Sequence, residues 1–175
     1  MGRAGIRIAI IVLVIAGVAG YKLLFVDSNE VGNFNDELVE VLEQSDARFQ
    51  KLSAYLDRYG DGKKVNIEAM RAQRKELVAR VNYDLQKLGK TKSPDDELCK
   101  DLHRTCVAYV NNSLDMANKY EEVIAYMSQH NPGKEADFAA TIKLLQPLIE
   151  KDQEALAATI AAQKRLVKKF DLKIR

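Results

Sequence analysis

From Cys99 to His130 the chain places Cys99, Leu102, Cys106, Tyr109, Ser113, Met116, Tyr120, Val123, Met127 and His130 at an unbroken alternation of three and four residues. An α-helix gathers such positions on one face, because 3.6 residues per turn bring i, i+3, i+4 and i+7 together. A strand would scatter them over both faces. A long helix with one apolar stripe is not stable by itself, so the stripe must be buried against other helices.

The rest of the chain supplies those partners. A first helix carries Leu38, Leu42, Ser45, Phe49, Leu52, Leu56 and Tyr59 at the same spacing. A second, from about Ile67 to Leu88, carries Ile67, Met70, Leu77, Val81, Leu85 and Leu88, with Arg74 interrupting it. The third starts at Ser93-Pro94-Asp95-Asp96, where Ser is a cap, Pro suits the first helical position and the acids face the helix dipole. It ends at Asn131-Pro132-Gly133. A fourth, from about Lys134 to Phe170, carries Phe138, Ile142, Leu145, Ile149, Asp152, Leu156, Thr159, Gln163, Leu166 and Phe170, and Pro147 is expected to kink it. With only three Pro, nine Gly and no Trp in 175 residues, long stretches lack any breaker.

The segment before these helices differs in kind. Ile8 to Gly20 holds no polar side chain, and the run from Ile6 to Val26, about 31 Å as helix, is long enough to cross a hydrocarbon core of about 30 Å. Arg3 and Arg7 precede it and Asp27, Glu30, Asp36 and Glu37 follow, which favours a cytoplasmic N-terminus. A cleaved signal peptide is the competing reading, since small residues around Ala19 offer a cleavage site. Apolar Leu23 to Val26 beyond that site favours an uncleaved anchor.

The sequence therefore predicts an all-α protein in two parts. Residues 1–27 form an N-terminal transmembrane helix, and residues 28–175 an extracytoplasmic, antiparallel (up-down-up-down) four-helix bundle with long third and fourth helices. Residues 27–33 read as a short junction, with Asn33 or Asn35 capping the first bundle helix. Because the third and fourth helices outrun the others, part of their hairpin is expected to project as an arm, unless the first helix extends upstream through that junction.

Two constellations resemble metal sites. In DRYGDGKKVNIE, residues 57–68, Asp57, Asp61 and Glu68 occupy the first, fifth and twelfth places of a calcium loop and Gly62 the sixth. Tyr59 at the third place and Lys64 at the eighth depart from that pattern. A helix junction explains the same residues, with Asp61-Gly62 turning the chain, Asn66 capping the second helix and Glu68 in its first turn. In CKDLHRTC, Cys99, His103 and Cys106 suggest a transition-metal or redox site. On an unbroken helix, however, the two cysteine Cα atoms stand about 10.5 Å apart, too far for a disulfide or for one zinc ion. Buried core thiols are the simpler expectation, with a disulfide between two copies as the alternative.

Other chemistry finds less support. Net charge is +2, from 27 basic and 25 acidic residues, so no global field draws the chain to nucleic acid. Gly89-Lys90-Thr91 imitates the end of a phosphate loop, but Asp84 stands where its upstream glycine belongs. Two histidines do not compose a catalytic set, and no cofactor is implied. The Asn111-Asn112-Ser113 sequon lies mid-helix.

The expected function is thus non-catalytic: a membrane-anchored, extracytoplasmic bundle, periplasmic in a bacterium, that works through protein or membrane contacts. Its partners would be the bilayer, through residues 6–26, and a protein or second copy meeting the projecting arm at Met116, Tyr120, Met127, Phe138 and Ile142. Lys164, Arg165, Lys168, Lys169, Lys173 and Arg175, together with Lys87, Lys90 and Lys92, would lie against acidic headgroups. A ligand- or metal-sensing bundle, with a weak calcium site at 57–68, is the alternative.

Overall fold

The computed structural model describes residues 30–130 and 132–172, without the side chains of 43–48. The apolar run 6–26, the start of the junction, Lys173 and Arg175 lie outside the described residues. Everything described is helix or short connection: α1 spans Glu30–Gly60, α2 Ile67–Lys90, α3 Glu97–Gln129 and α4 Glu135–Phe170. Among the described residues no helix is long and apolar enough to cross a membrane.

The helices pack into one bundle. The most extensive contacts join α3 to α4 and α2 to α3, and α1 lies against all three of the others. Polar contacts fix the directions. Lys87 Nζ meets Glu40 Oε2 at 2.9 Å, which sets the end of α2 beside the start of α1. His103 Nε2 meets the Leu88 carbonyl at 2.8 Å, bringing the start of α3 to the end of α2. Lys169 pairs with Asp96, so the end of α4 lies beside the start of α3. Gln163 Nε2 donates to Asn35 Oδ1 at 2.9 Å, so α4 also runs antiparallel to α1.

Each helix buries most of the described stripe that its spacing predicts. Leu38, Leu52 and Tyr59 of α1, Met70, Val81 and Leu88 of α2, Cys99, Cys106, Tyr109 and Ile124 of α3, and Leu145 and Leu166 of α4 share one core. In α2 the buried line runs Met70, Leu77, Val81, Asp84 and Leu88, passing through Asp84 where the sequence suggested Leu85. In α4 Thr141 is buried and Ile142 only half-buried.

The expected projecting arm is absent. α1 has 31 residues against 33 in α3 and 36 in α4, because it begins at Glu30 and runs straight through the predicted junction. Asn35 is therefore no cap; it lies inside the helix with no exposed surface. The far ends of the two hairpins meet instead. The Tyr59 carbonyl accepts from Gly62 N at 3.1 Å and from Gly133 N at 2.9 Å. Both glycines have positive φ, and a Cβ on Gly133 would stand 2.7 Å from Gly62 Cα, so the loops touch backbone to backbone.

The start of α3 also differs from expectation. Asp96, not Ser93, is its N-cap, with Oδ1 accepting from Leu98 N at 2.9 Å. The Ser-Pro-Asp stretch is spent on a turn in which Asp96 N donates to the Pro94 carbonyl at 2.8 Å. Pro147 sits inside α4 on its exposed side.

Candidate functional site

At Asp57 to Glu68 the chain ends one helix and starts the next. Lys63 N donates to Arg58 O at 2.9 Å and Gly62 N to Tyr59 O, with Gly62 at φ 77°. This is the paired-bond helix stop built around a left-handed glycine. Four residues on, Asn66 Oδ1 accepts from Ala69 N at 3.0 Å and opens α2. Glu68 Oε1 pairs with Arg71 at 2.8 Å, and Asp61 Oδ2 with Lys63 at 3.4 Å. Among the described residues, no three His, Cys, Asp or Glu side chains gather where they could hold a metal ion.

Cys99 and Cys106 line the core face of α3, both without exposed surface. Burial pushes the Cys106 thiol up to about 12. Burial, with a smaller contribution from the Asp96 charge, raises Cys99 as well. Thiols so placed are protonated and inaccessible, the opposite of a reactive or metal-binding pair. A disulfide between copies would need the helix to leave the core. His103 is occupied otherwise: its Nε2–H donates to the Leu88 carbonyl, and its ring leans on Phe34 with centroids 6.3 Å apart.

The residues proposed for partner contact divide. Tyr120 and Met127 are 3% and 4% exposed and belong to the core. Met116 and Phe138 are half-buried and packed against it, and Ile142 is half-buried. Burial pushes the Tyr120 hydroxyl up to about 12, while a hydrogen bond with Ser53 of α1 works in the other direction. The seam that suggested an open arm is closed by α1.

The basic end of α4 is partly neutralised within the bundle. Arg165 pairs with Asp101 and Lys169 with Asp96, and Lys164, Arg165, Lys168 and Lys169 are all exposed. The hydrogen bond from Lys169 is the main reason the Asp96 carboxyl is held below its usual range.

Two features at the ends of the bundle escaped the sequence pattern. Near the start of α1, Asn35 and Gln163 form a buried amide pair. At the opposite end, Tyr126 Oη donates to Asp137 Oδ1 at 3.2 Å, and its ring stacks on His130 with centroids 3.8 Å apart. The Tyr59 hydroxyl lies buried beside them without a hydrogen-bond partner among the described residues. Burial, then the Asp137 charge, raises its pKa, so it stays protonated.

A scan of protein-family models and searches among curated proteins and solved structures find no match to this chain.

Proposed function

We propose that this protein is a membrane-anchored, extracytoplasmic spacer: residues 6–26 cross the bilayer, and the helical bundle holds a rigid tip away from it for contact with a protein partner. The observation that supports the reading is the shortness of the connection. Only residues 27–29 separate the apolar run from the first residue of α1. Three residues span at most about 10 Å, so the start of α1 stays close to the membrane surface. The 31 residues of α1 then carry the chain about 46 Å outward.

The tip suits such a role because it is braced. The 61–66 and 132–134 stretches are pinned together through the Tyr59 carbonyl and the glycine contact. Asp61, Lys63, Lys64, His130 and Lys134 are exposed there and offer both charges to a partner. Binding through a preorganised loop pair costs less ordering entropy than binding through a loose one.

Photo-crosslinking in native membranes with the anchor intact tests this. A crosslinker replacing Lys64 is expected to capture a discrete protein adduct, and one replacing Asn118, exposed midway along α3, to capture none. Equal labelling from both positions contradicts the spacer reading.

A further inference from the structure

One surface of the bundle combines features that the tip lacks. Arg80, Tyr83, Lys87 and Lys90 follow one another at spacings of three and four along the second half of α2, so they form a single stripe about 15 Å long. Tyr83 is 57% exposed, the only large hydrophobic side chain so exposed among the described residues. The Arg80 guanidinium lies 5.6 Å from the centre of its ring. Lys92 continues the basic run past the helix end. Lys87 is held by Glu40, but Arg80, Lys90 and Lys92 form no ion pair among the described residues. Asp84, the acid within this stretch, is buried and faces the core, and Glu76 lies one turn farther from the helix end.

The stripe leads down to the end of the bundle where α1 begins. On the anchored reading, residues 27–29 hold that end within about 10 Å of the headgroups, comparable to the screening length at physiological salt. Cations flanking an amphipathic aromatic ring are the side chains that settle at an acidic lipid interface. We infer that the Arg80–Tyr83–Lys87–Lys90 stripe of α2, with Lys92, is a docking surface for anionic phospholipid at the base of the bundle. The inference rests on the anchored reading for its geometry. Its test separates the two.

The chain contains no Trp, so Tyr83→Trp places a single reporter in the stripe. The full chain is reconstituted in nanodiscs of phosphatidylcholine alone and of phosphatidylcholine with phosphatidylglycerol, each carrying a headgroup-region quencher. Emission is expected to shift to the blue, with quenching at least about twofold stronger in the anionic discs and falling as salt is raised. Arg80→Gln with Lys90→Gln and Lys92→Gln should abolish that difference. A Lys64→Trp reporter at the tip should respond equally to both lipids. Equal emission and quenching of the Tyr83→Trp reporter in both lipids, with the chain inserted, overturns the inference and leaves the anchor intact. If the chain fails to insert, adding anionic vesicles to it decides the inference separately: a blue shift supports it, and no shift overturns it. An acidic protein partner would appear as a response of the same Tyr83→Trp reporter to membrane extract but not to pure lipid, and that outcome overturns it too.

Discussion

Gly133 and Gly89 show how differently the same residue type is used. Gly133 has φ 81°, and an added Cβ would meet Gly62 Cα at 2.7 Å, a backbone atom that cannot swing aside. Gly89 lies in the last turn of α2, where an added Cβ meets nothing within 4 Å. Gly133→Ala is therefore expected to cost at least about 2 kcal/mol, while Gly89→Ala should stabilise by about 0.5–1 kcal/mol. Urea denaturation of the two variants checks both signs. The buried titrating groups give a second prediction at this scale. In the unfolded chain Cys106 loses its proton near 8.5 and Tyr120 near 10, roughly the values for free side chains. Folded, both are pushed to about 12. The unfolded state therefore releases protons first, and stability should fall as pH rises above about 8.5, more steeply above about 10. Tyr120→Phe should flatten the upper part of that fall, and thiol reagents should label neither cysteine until the chain is denatured. A urea midpoint that stays constant from pH 7 to about pH 11 would sink this account. Burial of Cys99 and Cys106 was legible from their place on the three-four seam. Asn35 was not, because Asn is favoured at helix starts and nothing local distinguishes a cap from a buried amide whose partner is far away in sequence.

The elements themselves were mostly legible, and their errors have common causes. α2 and α4 begin and end within about two residues of the expected positions, since Asn66, Thr91 and the turn at Gly133 leave little freedom. α1 ran past its expected start because the residues from Glu30 to Asn33 include only one weak breaker, Gly32, which the bundle buries. That one shift removed the projecting arm and with it the exposed seam. Asp84 could have been found. Continuing the alternation from Leu77 and Val81 leads to residue 84, and the apolar character of Leu85 drew the stripe off its register. The Asn35–Gln163 pair belongs to this scale, because it ties the register of α1 to that of α4. Gln163→Leu alone should cost about 1–3 kcal/mol by leaving the Asn35 oxygen without its donor. Asn35→Leu with Gln163→Leu should recover most of that loss while weakening the preference for one register. Chemical denaturation with a double-mutant cycle measures the coupling. Additive single effects would show that the pair is not a lock.

For the whole molecule, the described helices share a mainly apolar core that also buries Asn35, Asp84, Asp152 and Gln163, with little apolar surface on the outside among the described residues. Such a body suits a rigid spacer, and the 6–26 run would determine where it stands. The candidate sites were the least legible part. Metal-like spacings at 57–68 and 99–106 coincide with a helix stop, a helix cap and a core stripe, which draw on the same Asp, Asn, Gly and Cys residues that ligand sites use. Only the three-dimensional placement separates the two uses. The central claim is the anchored, outward-facing bundle, and membrane fractionation with protease protection tests it most directly. The full chain should remain in the membrane pellet after alkaline carbonate. A tag at the C-terminus should be digested by protease added to the extracytoplasmic side, and one at the N-terminus should be protected. Release of the chain by carbonate, or protection of the C-terminal tag, would contradict the account.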